Sequence, residues 1–347
     1  MPRNRVIYQS EAVYVGSAFS SVASHISKVQ SCNYNFSIER TDVNQFGELG
    51  AIDRLIMQEP TVNVDLTYLL DAASVSNETS MGLSTAGDNA LSAMMTTTDD
   101  VSRNIAIATS APGTDIAGDG TISNVIAIGN AFLTSWSLEA SVGGYPTVTC
   151  AFEGQNIVFG SNGFQASFNA AGGLYATTTL TEPSNFVAGP GAVPAIKPGD
   201  VSVSFSNGAP GAGVSVSDWK VQSATIALTM SREPIRKLGS RLAFSRELTF
   251  PITCTFSINA VVGDAAVNNL SNLFATATGD SSTTNCIINL AGFNAANTTP
   301  SYRSFTLKKA KLNSQNITSS IGPNKMVTLE MSAQIGKDSG LNMSTIS

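Results

Sequence analysis

The only histidine in the chain, His25, lies in the stretch SSVASHISK. A zinc site draws on several His or Cys ligands at close spacing, and a histidine-dependent triad needs a nucleophile and an acid placed beside the ring. With no second imidazole to join it, His25 reads as an ordinary surface or strand residue. The four cysteines, Cys32, Cys150, Cys254 and Cys286, are far apart and form no Cys-X-X-Cys pair. Asp99-Asp100 and the pair Glu39 and Asp42 have the residue types of a general acid and base, but they sit among turn residues, where carboxylates are ordinarily solvated. The stretch GPGAVPAIKPGD lacks the Gly-Lys-Ser/Thr ending of a phosphate-cradling loop, and its prolines mark a linker. These residues lead to no catalytic site, no metal site and no cofactor, so the expectation is a protein that is not an enzyme.

The elements that would have to position any site are strands. Of 347 residues 29 are Gly, Ser, Thr, Ala and Asn are abundant, and only 13% are charged, which suits strands and turns better than long helices. The 42% of hydrophobic residues are spread along the chain, enough to fold, and the length exceeds what one core usually serves, so two domains are expected. The net charge is −6 and the densest cationic cluster is Lys308, Lys309 and Lys311. Neutralising many phosphates takes many cations, so stable nucleic-acid binding is not expected. The lysine cluster reads as a solvated strand edge. No apolar run reaches the roughly 18 residues of a membrane span, and MPRNRVIYQSEAVYVG turns polar before a signal-type core forms. The expectation is a chain made and kept soluble in a cytoplasm, where its six Asn-X-Ser/Thr sequons have no use.

The strongest organisational signal is internal repetition. Residues Val29–Asn77 align without gaps with Val221–Asn269, 192 residues on, with 11 of 49 positions identical, among them Arg40/Arg232, Gly47/Gly239 and Arg54/Arg246. Unlike pairs keep the pattern: Phe36/Leu228, Ile38/Met230, Val62/Cys254, Val64/Phe256 and Leu66/Ile258 are all apolar. A second block, Ala131–Gln155 against Ala310–Gln334, matches at an offset of 179 with 8 of 25 positions identical. The first copy therefore carries 13 extra residues, expected in a loop around 76–120. Cys32, Cys150 and Cys254 face Ala224, Leu329 and Val62 across the repeat, so cysteine stands where small hydrophobes do.

Each copy has one plan. A period-2 strand (29–39; 221–231) leads through a polar connection (40–58; 232–248) to a second strand (61–70; 251–262). A short helix is expected next (88–95; 268–276), then a strand (104–109; 286–290) and a closing hairpin turning at Gly143-Gly144 or Gly322-Pro323-Asn324. Domains are expected over 1–160 and 201–347, joined by a Gly-, Ala- and Pro-rich linker or arm over 161–200, with the boundary near residue 180.

The run VQSATIALTMSREPIRKLGSRLAFSRELTFPITCTFSINAVVGD, with the closing Ala-Lys-Leu to Met-Val-Thr-Leu-Glu-Met-Ser hairpin, resembles the tail tube (major tail) proteins of long-tailed bacteriophages. The resemblance covers most of 221–335 and, less closely, its duplicate at 29–158. It implies a mainly β fold of two tandem tail-tube-type domains, each a β-sandwich or half-barrel with a short flanking helix. It also implies homotrimeric, pseudo-hexameric rings stacked into a conduit for DNA ejection, a virion location in the tail, and no cofactor. The implied partners are other copies of the chain, the tail completion or terminator and tip proteins, and the tape measure protein; DNA passes without specific binding, and no membrane is involved. In such a tube the two connections would contact the next ring, through Arg40, Phe46, Gly47, Leu49, Ile52 and Arg54 in one, and Arg232, Ile235, Leu238, Gly239, Phe244 and Arg246 in the other. A loop covering its own domain's core is the other reading of these connections. Asp65, Glu139 and Glu153, opposite in parity to the apolar set, are candidate lumen acids, although Ser257, Thr318 and Ser332 replace them in the second copy. A different virion, decoration or binding β-sandwich is the alternative.

Overall fold

The computed structural model describes residues 11–17, 24–57, 59–70, 76–84, 89–94, 102–111, 114–116, 122–161, 196, 201–206, 220–239, 243, 245–261, 284–293, 300–318, 325–336 and 339–346. Its strands confirm the mainly β fold. A central sheet of eight antiparallel strands runs β3 (Val29–Ser37), β6 (Thr61–Leu69), β9 (Thr147–Gly154), β8 (Ile122–Ser141), β12 (Lys220–Thr229), β15 (Thr253–Val261), β18 (Met326–Gln334) and β17 (Pro300–Thr318). Its alternating residues explain it: in β6 Val62, Val64, Leu66 and Tyr68 are buried while Asn63 and Asp65 between them are exposed.

Two of these strands are far longer than the alternation at the closing hairpins alone requires. The 20-residue β8 and 19-residue β17 begin in flanking sheets and end in the central one. One flank is β2 (Ser24–His25), β1 (Glu11–Ser17), β7 (Arg103–Ser110), the start of β8 and β10 (Asn156–Ser161). The other is β11 (Val201–Ser206), β16 (Thr284–Phe293), the start of β17 and β19 (Gly340–Ile346). The change of sheet falls at a bulge in each strand, where Asn130 (φ 49°) and Lys309 (φ 54°) adopt the left-handed conformation. The amide of each is held by an asparagine side chain, Asn104 Oδ1 at 3.4 Å and Asn285 Oδ1 at 3.0 Å. The flanks pack on the central sheet around Trp136, Phe152, Phe256 and Phe305, with Trp136 and Phe305 stacked at 5.7 Å.

Pairing registers repeat as the sequence does. Cys32 faces Leu66 and Ala224 faces Ile258, and a bulge separates Val29 from Ser31 as it separates Val221 from Ser223. Leu133 faces Phe152 and Leu312 faces Met331, each again followed by a bulge.

Several local expectations change. The connections at 40–58 and 232–248 contain small hairpins, β4 (Thr41–Val43) with β5 (Asp53–Leu55), and β13 (Arg232–Ile235) with β14 (Ser245–Leu248). The one described helix, α1 (Ser76–Met81), precedes the expected position, and 89–94 forms turns packed at Leu91 and Met94. The expected helix at 268–276 lies outside the described residues, as does most of the linker, although Ile196 within it is buried. Lys308 is not at an edge, because β17 there lies between β16 and β19, and Lys309 sits at the bulge, whereas the exposed Lys311 pairs, among the described residues, with β18 alone, as an edge lysine does.

Candidate assembly interface

The two halves of the chain meet through a strand pair. In β12 and β8, Ser223 to Thr229 face Ser141 to Ser135 in antiparallel register, extended by Met230 N–H donating to the Thr134 carbonyl at 2.8 Å. This joint makes the central sheet continuous, and Leu138, Trp136, Ile226 and Leu228 along it are fully buried.

The sheet's two ends carry the counterparts of that joint. Among the described residues, β3, the counterpart of β12, pairs with β6 alone, and the Ser314–Thr318 stretch of β17, the counterpart of the joining part of β8, pairs with β18 alone. Their apolar side chains are open: Tyr34 is 39%, Phe36 41% and Ile317 48% exposed, where the counterparts Ile226, Leu228 and Leu138 show 0%. Phe159 on β10, whose ring centroid lies 6.5 Å from that of Tyr34, is 63% exposed. Such rows of unpaired backbone groups with apolar flanks are templates for another strand.

The hairpin arms leave from one end of these strands. Their tips present Phe46, Leu49 and Leu238 fully to solvent, next to Gly47 (φ 93°) and Gly239 (φ 85°), a conformation that excludes most side chains. Ile52 and Ile235 are partly exposed, Arg40 is exposed, and Arg54 Nε donates to Asp42 Oδ1 across the first arm at 2.6 Å. Phe244 lies outside the described residues. A small, mainly apolar pocket lined by Val142, Val201, Val203 and Val221 sits at the opposite end of the β12–β8 joint.

The arginines of the second arm have a different setting. Arg246 is buried, donating to Glu59 Oε1 at 2.8 Å and to Glu153 Oε1. Glu59 also accepts from the Ala243 amide at 2.7 Å, and Arg236 approaches it at 4.0 Å. Arg232 donates through Nε to the Leu133 carbonyl at 3.1 Å and stands 4.9 Å from the centre of the Phe132 ring. Burial, and then the neighbouring Arg246, lower its pKa to about 10. Glu153 is thus held by Arg246 rather than standing free on the sheet. Glu59 escapes sequence reading because its partner lies 187 residues away and nothing local marks it.

The face of the central sheet turned from the core is polar. Asp65 and Glu139 are exposed on it, joined by Glu330, whose Oε2 accepts from Ser314 at 3.0 Å. Around them hydroxyls and amides bond across strands, as in Thr328 to Asn259 at 2.6 Å and Asn259 to Ser223 at 3.0 Å. Lys311 is a cation on the same face, opposite Ser332.

His25 is partly buried against Tyr14, with ring centroids 5.6 Å apart, and burial lowers its pKa. The four cysteines are free thiols. Burial pushes Cys32 and Cys254 up to about 12 and also raises Cys150 and Cys286 well above the ordinary thiol value. The thiolate is the reactive species, so native protein at pH 8 is expected to react with a thiol reagent at least about a hundredfold more slowly than unfolded protein. Rapid labelling of Cys150, Cys254 or Cys286 in the native state would contradict their place in the core.

Fold and interface together define a mainly β protein whose halves join edge to edge. No family model matches the chain, and no curated protein matches it. Among solved structures it is similar to a chain of the cryo-EM structure of the anti-feeding prophage (AFP) baseplate, 6-fold symmetrised, with TM-score 0.29 and 11% identity, covering 45% of this chain and 95% of that chain.

Proposed function

We propose that the chain is a non-enzymatic structural protein of a phage-type tail, whose copies join edge to edge into trimeric, pseudo-hexameric rings that stack into a tube for DNA. The observation that carries this reading is the pairing of β12 with β8, together with the open edges of β3 and β17 whose apolar counterparts that pairing buries. A contact that joins β3 of one copy to β17 of the next is head-to-tail, and such contacts close into a ring when the rotation permits. Three copies would supply 24 central strands, eight from each. A duplicated domain, with Arg40–Gln58 and Arg232–Leu248 as paired arms, accounts for the repeated registers. Asp65, Glu139 and Glu330 on a hydroxyl-rich face, with a net charge of −6, suit a lumen that repels phosphate.

Negative-stain microscopy of the purified chain tests the reading. Six-lobed rings or hollow tubes built from trimers are expected, and a protein that stays monomeric at high concentration would refute it. The arms test stacking separately. Solvent-exposed apolar tips gain by burial at about 25 cal/mol per Å², so Leu238→Asp combined with Phe46→Asp is expected to leave rings intact while shortening tubes at least about tenfold. Tubes of normal length in that variant would remove the arms from the stacking contact.

A further inference from the structure

We infer that the joint closing a ring between two copies repeats the backbone register of the internal β12–β8 joint but lacks its arginine clamp, so that the joint between chains is the one at which assemblies are made and undone. This rests on the ring reading above. Transferring the internal register by the repeat offsets places Asn33 of one copy opposite Thr318 of the next, Tyr34 opposite Ile317, Asn35 opposite Asn316, Phe36 opposite Gln315 and Ser37 opposite Ser314. That register brings together the partly exposed Tyr34 and Ile317, as the internal joint brings together Ile226 and Leu138.

The charges do not carry over. Internally, the second arm reaches onto the first half with Arg246 bound to Glu59 and Glu153, and Arg232 set against the Leu133 carbonyl and the Phe132 ring. At the open joint the arginines persist as Arg54 and Arg40, and Leu312 offers the corresponding carbonyl. The positions of Glu59, Glu153 and Phe132, however, are occupied by Pro251, Ser332 and Lys311. The facing chain therefore supplies a proline, a hydroxyl and a cation where the internal joint has two carboxylates and an aromatic ring. Arg54 takes its carboxylate from its own arm, Asp42, and both stay substantially exposed. Backbone pairing and apolar burial specify this joint, while the charged contact that would lock it is missing. A close charge pair buried at an interface contributes enough to slow dissociation strongly.

Two sets of full-length variants test both parts. Oxidation of the double variant Asn33→Cys/Thr318→Cys is expected to give covalent trimers, and the off-register control Asn33→Cys/Asn316→Cys to give at least about tenfold less, since cysteines bridge only at short Cα separations. Ser332→Glu restores a carboxylate at the position corresponding to Glu153, and rings of that variant are expected to survive dilution to a concentration roughly tenfold lower than the unaltered chain. Rings that cross-link equally in the control, or that are no more stable with Ser332→Glu, would overturn this inference and leave the ring reading standing. Absence of rings from the unaltered chain would overturn both.

Discussion

Replacing Tyr34 and Phe36 together by aspartate is expected to leave a folded monomer that builds neither rings nor tubes. In the single chain both side chains reach solvent, at 39% and 41% exposure, so a carboxylate at either position can remain hydrated and the fold tolerates it. Docking β17 of a second copy on β3 would take both carboxylates out of water opposite Ile317 and Gln315, neither of which is a cation. Burying an unpaired ion costs several kcal/mol even after relaxation. Since about 1.4 kcal/mol is a tenfold change in affinity, two such groups weaken each joint by at least roughly a thousandfold. Sedimentation velocity separates monomer from ring, and circular dichroism checks that strand content is kept. The same substitutions at Ile226 and Leu228, both buried inside the chain, are expected to abolish folding itself. Normal rings from the Tyr34 and Phe36 variant would exclude the β3 edge as the ring contact.

Arg303→Met is expected to destabilise the monomer by about 3–5 kcal/mol, the range for breaking a buried ion pair and leaving one charge unpaired. Arg303 on β17, 2% exposed, donates through Nη2 to Glu78 Oε2 at 2.6 Å, and Glu78, 1% exposed, also accepts from the Tyr68 hydroxyl at 2.8 Å. Burial, followed by the adjacent Glu78 carboxylate, raises the Tyr68 pKa well above its ordinary value, so Tyr68 remains a neutral donor. This network ties α1 to the strand of the other half, 225 residues away, and Ala90 N–H donating to the Leu341 carbonyl at 2.7 Å reinforces it. The double substitution Glu78→Met/Arg303→Met removes both charges and is expected to recover much of the loss. Urea titration monitored by tryptophan fluorescence, to which Trp136, stacked on Phe305 nearby, contributes, measures both variants. A loss below about 1 kcal/mol for Arg303→Met would show that Glu78 finds another partner or water.

The sequence by itself determined the alternating strands, because burying one face of a sheet imposes period 2 on the chain. Val62, Val64 and Leu66, and Cys254, Phe256 and Ile258, therefore declared β6 and β15 and their shared spacing without any tertiary information. The hairpin turn was legible for a similar local reason, since paired glycines such as Gly143-Gly144 mark a turn, and Gly143 indeed adopts a positive φ of 82°. The arms were not: β4 and β5 are three residues each and largely exposed, so no buried face writes a pattern into them. The six-residue α1 is likewise too short to be held by propensity and exists because Met81 and Glu78 are buried against other elements. Only the tertiary structure decided that β12 joins β8 while β3 stays open, since both strands alternate equally and pairing depends on which partner the rest of the chain brings alongside. The same holds for Arg246 and Arg54. They match in the repeat, but one is buried between carboxylates from residues 59 and 153 and the other lies in solvent, because a charge takes its role from the groups that folding places around it.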